Sequence, residues 1–244
     1  MSRVKITLSY DGTFFHGWQI QPNDRTVQGE VQKALSELFH SNIQVFGCSR
    51  TDAGVHAKNF VCHADLPRPF PLDKLPFALN TLLPYDVAIK KAEAVSEDFH
   101  ARFSCTGKTY SYYLLNTRIR DPFEKHRAGF WPTPLNAERM DVFAKEFIGS
   151  HDFAAFMATG SVIEDTVRKI ISFDVKREGD MITFTVCGNG FLYNMVRILC
   201  GTLIAVSEGR IPLDSLDDVI VSGDRSRAGA TLPPDGLYLS RVEY

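Results

Sequence analysis

The sequence predicts an α+β protein made of two ferredoxin-like halves, each with the element order βαββαβ. Strand-like alternation of apolar residues is interrupted by two helical patterns in each half, and this order occurs twice along the chain. The 244 residues suffice to bury a substantial core, and 44% hydrophobic with 23% charged residues is an ordinary globular composition. The repetition is one of pattern, because the residues of the two halves do not match.

The first half begins with an alternating strand over residues 3–10, which ends at a turn signal. Thr26 is a candidate N-cap for a helix whose apolar residues, from Val27 to Leu38, follow helical spacing. Asp73 is a candidate cap for a second helix, which Pro84 ends. The remaining predicted strands are residues 42–49, 58–65 and 86–94.

The second half repeats the order, with a hairpin predicted across Gly179. Its predicted strands are residues 108–116, 166–176, 181–187 and 237–242, and its helices are residues 136–148 and 190–207. A short helix near residues 213–222 is interpreted as an insertion. The halves are therefore assigned to residues 1–104 and 105–244. Joined edge to edge, they would form a continuous antiparallel sheet with helices on one face and a cleft between the halves.

The distribution of charge limits the possible functions. Twenty-seven Lys+Arg against 29 Asp+Glu give a net charge of -2, which excludes a polybasic binder. Residues 100–131, however, hold six basic and two acidic residues interleaved with seven aromatic ones. This combination is typical of surfaces for single-stranded or looped RNA. A strand with a buried aromatic face and a solvated basic face would give the same pattern.

Several functional motifs are incomplete. The glycine spacing of residues 12–17 is that of a P-loop, but Trp18 and Gln19 follow where Lys-Ser/Thr is required. Gly188 and Gly190 resemble the start of a dinucleotide fingerprint, but Tyr193 occupies the third glycine position. The sequence therefore supports no nucleotide cofactor.

Metal binding and membrane insertion also lack support. Cys48, His56, Cys62 and His63 fit no compact zinc pattern. The apolar stretch 191–206 is shorter than the roughly 20 residues of a membrane span. Five widely spaced cysteines, with no CxxC pair and no secretion signal, favour the reducing cytoplasm.

The loop between the predicted strands 42–49 and 58–65 carries the strongest candidate for catalysis. Arg50 and Asp52 are two residues apart, so on an extended backbone they face the same side. Asp52 precedes an Ala-Gly turn that would present its carboxylate to a cleft, and a nearby cation would keep it ionised. The alternative is that Asp52 only caps its own turn.

Seven segments, in the same order along the chain, resemble the TruA family of tRNA pseudouridine synthases. They read YDGTFFHGWQ (10–19), TVQ (26–28), SRTDAGVHA (49–57), FHARFS (99–104), GKTY (107–110), GNGFLYNMVR (188–197) and GLYL (236–239). Ser49 stands where the family usually has glycine, and Ala230 where proline is common. Neither departure removes a chemical group, although Ser49 could alter the loop geometry.

The resemblance implies a reaction and a partner. Uracil would be detached from C1′ of a uridine and rejoined through C5, at positions 38 to 40 of the tRNA anticodon arm. The resemblance implies a homodimer and implies no cofactor. The same resemblance implies the two-halved ferredoxin-like fold, with its active site in the cleft.

The resemblance also assigns roles to individual residues. Asp52 would be the catalytic carboxylate, Arg197 its ion-pair partner and Tyr110 the ring that stacks on the target base. Arg50 would assist extrusion of the base. The remaining assignments concern substrate binding: an RNA-contacting segment with Phe99, His100, Arg102 and Phe103, and Leu237 in the uracil pocket. Without the motifs, Arg197 would be a snorkelling helix residue, and Tyr110 and Leu237 would be core residues.

Two rival interpretations stay open. A non-catalytic tandem of RRM-like modules would bind RNA through aromatic residues on its central strands, but residues 107–112 do not match the expected motif. A small-molecule enzyme would use the turn at Gly188–Gly190 to hold a phosphate.

Overall fold

The structure, a computed structural model, describes residues 2–160, 163–212 and 214–244. The chain divides into two compact units. One contains Met1–Thr106 together with Tyr238–Tyr244, and the other contains Gly107–Leu237. The first unit ends at Thr106, whereas the sequence analysis assigns the first half to residues 1–104. The last seven residues, however, belong with the first unit rather than with the half to which residues 105–244 were assigned.

The first unit contains a mixed sheet with strand order β4-β1-β3-β10, and β2 also pairs with β3. β1 is antiparallel to both neighbours, whereas β10 runs parallel to β3 and places Tyr238 opposite His56. Its elements are β1 (Ser2–Tyr10), α1 (Val27–Phe39), β2 (Val45–Gly47), β3 (His56–Leu66), α2 (Leu75–Asn80), β4 (Val87–Ala94) and β10 (Leu237–Glu243).

The local sequence explains most of these elements. Every second residue of β1 is buried from Val4 to Tyr10, which is the alternation of a half-buried strand. Thr26 precedes α1 as predicted, but its side chain makes no capping hydrogen bond. α2 begins after Lys74 rather than after Asp73, and it ends at Asn80, before the backbone restriction that Pro84 imposes.

The second unit contains an antiparallel sheet with strand order β5-β9-β8-β7, and β6 pairs in parallel with β5. Its elements are β5 (Gly107–Leu115), β6 (Gly129–Phe130), α3 (Ala137–Glu146), β7 (Gly149–Asp152), β8 (Val167–Glu178), β9 (Met181–Gly188), α4 (Met195–Ser207) and α5 (Leu216–Ser222). The short strands β6 and β7 were not predicted. The predicted start of the insertion helix at Leu213 lies outside the described residues.

The prediction of a wholly antiparallel sheet is wrong at β6 and β10, which pair in parallel. The direction of these strands depends on where a long connection delivers the chain, and residue pattern does not encode that. Most of the apolar stretch 191–206 lies in α4, which is almost entirely buried as a core helix. Within the described residues, no helix has the length and apolar character to cross a membrane.

Candidate functional site

Asp52 lies in the loop between β2 and β3, and its side chain is partly exposed. The backbone nitrogen of Val55 donates to the carbonyl oxygen of Asp52 at 3.2 Å, which closes a tight turn around Gly54. The hydroxyl oxygens of Tyr10 and Thr51 lie 2.8 Å apart, and this contact is buried. The end of β1 therefore fixes the position of the residue before Asp52.

The glycines of residues 12–17 allow a second segment to approach this loop. A β-carbon on Gly12 would lie 2.0 Å from the Val55 carbonyl oxygen, and one on Gly17 would lie 2.4 Å from that of Thr51. Gly17 also has a positive φ of 85°. The glycine spacing that resembles a P-loop thus serves close packing against the Asp52 loop, a role that the sequence analysis missed.

His56 closes the loop at the start of β3. Its buried Nδ1 accepts a hydrogen bond from the Gly12 backbone nitrogen at 3.0 Å and lies 3.2 Å from a carboxylate oxygen of Asp11. Its ring stacks on Tyr238, with 4.5 Å between centroids. His56 thus joins the Asp52 loop to the end of β1. Among the described residues, no group of three or more His, Cys, Asp or Glu could hold a metal ion.

Arg50 is exposed on the surface of the same loop. Its Nε donates to Oε1 of Gln19 at 3.2 Å, so it is tied to the segment that contains Gly17. Ser49, at the position where the resembling family has glycine, donates from its hydroxyl to the Arg50 carbonyl oxygen at 3.4 Å. Its φ is not positive, so this position does not require glycine.

Residues 99–104 form a compact turn whose aromatic side chains are partly exposed. Nδ1 of His100 accepts from the Arg102 backbone nitrogen at 3.1 Å, and the His100 backbone nitrogen donates to Oγ of Ser104 at 2.9 Å. The Phe103 ring is 76% exposed and lies 4.4 Å from the His100 ring. The Arg102 guanidinium lies 5.7 Å from the Phe103 ring centroid. Phe99 lies behind the turn, 5.0 Å from the Tyr244 ring.

A further ring that the sequence analysis missed belongs to the same surface. Phe46 on β2 is 43% exposed, stacks on His63 at 5.1 Å and lies 5.9 Å from His100. We call Phe46, His100 and Phe103 the aromatic surface, and the buried His63 lies beneath it. The sequence shows Phe46 only as an apolar residue at an outward-facing position of a short strand.

Burial and nearby cations keep the imidazoles of His100, on the aromatic surface, and of His63, beneath it, neutral. Burial, together with the nearby His100 and Arg3, lowers the pKa of His63 to about 4. Burial and the cations of Arg3 and Arg102 also lower the pKa of His100. Arg3 itself is held by a bidentate ion pair with Asp65, with both distances 2.8 Å. The surface therefore presents uncharged rings beside the exposed cation of Arg102.

Tyr110 and Leu237 lie in the second unit and are buried. Tyr110 is on β5 opposite Val186, and its ring meets Phe191 edge to face at 5.3 Å. Leu237 begins β10 after Gly236, where a β-carbon would lie 2.5 Å from the Tyr113 carbonyl oxygen. Their burial agrees with core packing and equally with the walls of an apolar base pocket.

Arg197 is held by hydrogen bonds at the start of α4. Its Nε donates to the Leu232 carbonyl oxygen and its Nη1 to Oδ1 of Asn194, both at 2.6 Å. Asn194 itself has a positive φ of 58°, which delays the start of the helix to Met195 rather than the predicted residue 190. The guanidinium is thus oriented by protein groups, unlike a snorkelling side chain that extends into water.

The glycine turn after β9 is hydrogen-bonded to the neighbouring strand β8. The Asn189 backbone nitrogen donates to the Lys169 carbonyl oxygen at 3.0 Å, and Oδ1 of Asn189 accepts from the Lys169 backbone nitrogen at 2.9 Å. A β-carbon on Gly188 would lie 2.9 Å from the same carbonyl oxygen. The turn therefore pairs with β8, which leaves the phosphate-turn interpretation without support.

The predicted site residues are distributed over both units. Asp52, Arg50 and residues 99–103 lie in the first unit, and Tyr110, Arg197 and Leu237 lie in the second. The fold and these residues define an α+β protein with a carboxylate on a closely packed loop and aromatic residues near exposed cations.

Comparison with known proteins identifies the family. A family model described as tRNA pseudouridine synthase matches residues 6–104 and 143–244. The chain is 46% identical to tRNA pseudouridine synthase A of Ruminiclostridium cellulolyticum, with all of both chains covered. It is 44% identical to the protein of that name from Bacillus subtilis, with 99% of each covered. The chain belongs to the tRNA pseudouridine synthase family.

One solved structure illustrates how far the likeness extends among known folds. A chain in a crystal structure of a Cbf5-Nop10-Gar1 complex matches with a TM-score of 0.38 and 14% identity, covering 96% of this chain and 57% of that one. That score is too low to support a conclusion about the fold.

Proposed function

We propose that this protein isomerises uridine to pseudouridine in tRNA, at positions 38 to 40 of the anticodon arm and without a cofactor. The observation that carries the proposal is the construction around Asp52. Two glycines, Gly12 and Gly17, are required for one segment to pack on the loop that presents this carboxylate. This construction occurs in a chain whose full length matches tRNA pseudouridine synthases.

The reaction is balanced within the nucleotide. The bond between N1 of uracil and C1′ of ribose breaks, and a bond between C5 and C1′ forms. C5 loses a proton and N1 gains one, so neither an oxidant nor ATP is consumed. An ionised Asp52 would act as a nucleophile toward C1′ or C6, or as a general base on a ribose proton.

Arg197, Tyr110 and Leu237 are proposed to complete the catalytic site. Arg197 would pair with the Asp52 carboxylate and keep it ionised. The two 2.6 Å hydrogen bonds to Leu232 and Asn194 support this role, since they hold the guanidinium in one orientation. Tyr110 would stack on the target uracil, and Leu237 would line its pocket.

The finer fold and the assembly are part of the same proposal. We propose that the two units are ferredoxin-like halves of one continuous sheet, with helices on one face and the catalytic cleft between them. A homodimer in the cytoplasm would then place one tRNA across two subunits. Family membership supports these features.

RNA binding is proposed to use the exposed residues of the first unit. Arg50 would enter the space that the extruded uridine vacates. Phe99, His100, Arg102 and Phe103 would contact the RNA, and Phe46 extends the surface that they form. A neutral His100 imidazole supports this role, because an uncharged ring stacks on a base while Arg102 meets a phosphate.

The proposal is tested with an unmodified tRNA transcript and purified protein, in buffer with a chelator. Pseudouridine should form at positions 38 to 40 and be located by chemical mapping of the product. A transcript with cytidine at all three positions is the matched control and should give no product. Tight tRNA binding without any pseudouridine would contradict the proposal and favour the non-catalytic RNA-binding alternative.

A further inference from the structure

Arg225 is a cation that has been partly removed from water without a neutralising partner. Its side chain is half-buried, and its Nη2 donates to the hydroxyl oxygen of Thr231 at 3.0 Å. In the described part of the chain this guanidinium forms no ion pair. Burial alone lowers the pKa of Arg225, with no carboxylate to oppose it. Such a charge is costly to keep unpaired, and an anion would relieve that cost.

The nearest acidic residue in sequence is already engaged elsewhere. The Asp224 carboxylate accepts from the Ser226 backbone nitrogen at 2.8 Å, and its hydrogen bonds with Ser226, followed by the nearby charge of Arg227, lower its pKa. Arg227 is exposed and donates to the Asp218 carbonyl oxygen at 3.0 Å. Asp224 and Arg227 therefore make contacts within and beside the turn, whereas Arg225 reaches from the turn to Thr231.

The segment that carries Thr231 packs closely against α4. A β-carbon on Gly201 would lie 1.9 Å from the Ala230 carbonyl oxygen, and one on Gly229 would lie 2.3 Å from the Gly201 backbone. The Gly229 backbone nitrogen donates to Oγ1 of Thr202 at 2.9 Å. Thr231 thus follows a segment whose backbone is packed directly against α4.

Arg197 is attached to the adjacent residue of the same segment, through the carbonyl oxygen of Leu232. Two guanidinium groups therefore contact residues 231 and 232. Arg197 belongs to the proposed catalytic site, whereas Arg225 has no role in it.

We propose that Arg225 and Thr231 form a binding site for a phosphodiester group of the tRNA, next to the segment that holds Arg197. The Thr231 oxygen accepts from Arg225 and keeps its own proton to donate to a phosphate oxygen. The guanidinium uses one of its five N–H donors on Thr231, so others are available for the same anion. The two groups together supply converging donors and one positive charge.

This proposal rests on the proposed function, and its test is independent of catalysis. The dissociation constant for unmodified tRNA is measured over a range of salt concentrations for the wild-type protein and for Arg225→Ala. Loss of one phosphate contact should reduce the slope of log K against log salt by roughly 0.7 to 0.9. It should also weaken binding about tenfold or more at low salt. Arg210→Ala is the matched control, because Arg210 is exposed and already paired with Glu208.

Two Thr231 variants separate binding from folding. Thr231→Val keeps the shape of the side chain and the charge of Arg225, so it should weaken tRNA binding several-fold while the salt slope stays at the wild-type value. Thr231→Ser retains the hydroxyl and should bind as the wild type does. If Arg225→Ala unfolds at a lower temperature yet keeps the wild-type salt slope and tRNA affinity, Arg225 is only structural, and the proposal is overturned.

Inorganic phosphate distinguishes the two sources of the anion. If phosphate raises the melting temperature of the wild-type protein relative to chloride at equal ionic strength, while Arg225→Ala leaves the tRNA slope unchanged, the site takes a free anion and the proposal is wrong. If the wild-type protein forms pseudouridine and Arg225→Ala keeps the wild-type salt slope, the proposed phosphate site is wrong and the proposed function stands. If it forms no pseudouridine, the proposed function fails, and a reduced slope would still support the site.

Discussion

Gly17 lies so close to Thr51 that a β-carbon on it would be 2.4 Å from the Thr51 carbonyl oxygen. That same oxygen accepts a hydrogen bond from the Trp18 backbone nitrogen at 3.1 Å. Thr51 precedes Asp52, so the contact between two backbones determines where the proposed catalytic carboxylate lies. Positioning of this kind is expected to be sensitive to small displacements.

Replacing Gly17 should therefore reduce catalysis more than it reduces folding. Gly17→Ala introduces the clash with Thr51, and its positive φ adds strain of about 1 kcal/mol. We expect the single-turnover rate to fall on the order of 100-fold, with tRNA affinity nearly unchanged. Gly179→Ala is the matched control, because Gly179 has a positive φ of 59° but nothing within 4 Å of its β-carbon position. Equal rates for the two variants would contradict the positioning role.

The aromatic surface should contribute to tRNA affinity. Phe103→Ala and Phe46→Ala each remove an exposed ring that would stack on an unpaired base, which is worth about 1–3 kcal/mol per base. Filter binding of tRNA should show this loss at a salt concentration where the wild-type protein is half-saturated. Phe77→Ala is the control, since Phe77 on α2 is 75% exposed and Phe103 is 76% exposed. Equal tRNA affinity for all three variants would contradict a specific role of Phe103 and Phe46 in RNA binding.

The buried His63 should make folding stability depend on pH. Its pKa of about 4 in the folded state lies below the ordinary value of 6.5, so the unfolded chain binds more protons between these limits. Nδ1 of His63 accepts from the Ala101 backbone nitrogen at 3.1 Å, a bond that protonation would abolish. Stability is then unaffected above pH 6.5, falls as the pH decreases from 6.5, and levels off below about pH 4. The loss from this group is on the order of 2–3 kcal/mol.

Urea unfolding at several pH values measures this effect. His63→Gln should show a smaller fall in the free energy of unfolding between pH 7 and pH 4 than the wild-type protein does. His16→Gln, at an exposed position, is the control and should follow the wild-type curve. Identical pH dependence in wild type and His63→Gln would mean that protonation of this imidazole does not oppose folding.

Elements with a strong local pattern could be predicted from the sequence. The alternation from Val4 to Tyr10 predicted β1, and the long apolar stretch 191–206 predicted α4, although the helix begins at Met195 rather than at the predicted residue 190. The Asp52 loop was also located between two strands, because its turn residues are contiguous in sequence. Each of these features depends on residues that are neighbours along the chain.

Features that depend on distant parts of the chain could not be predicted. The parallel pairing of β10 with β3 joins Tyr238 to His56, which lie 182 positions apart, and no local pattern encodes that meeting. The packing of Gly17 on Thr51 looked like a failed phosphate loop, because glycine spacing does not show which backbone approaches. Phe46 was missed for a similar reason, since its partners His63 and His100 belong to other elements.

The Asp52 carboxylate is proposed to perform the isomerisation. The most direct measurement is single-turnover formation of pseudouridine by Asp52→Asn on unmodified tRNA, with tRNA binding measured in parallel and Asp73→Asn as an exposed control. We expect no detectable product from Asp52→Asn, tRNA affinity within a few-fold of the wild-type value, and normal turnover by Asp73→Asn. Pseudouridine formation by Asp52→Asn at a rate close to that of the wild-type protein would contradict the catalytic role of Asp52.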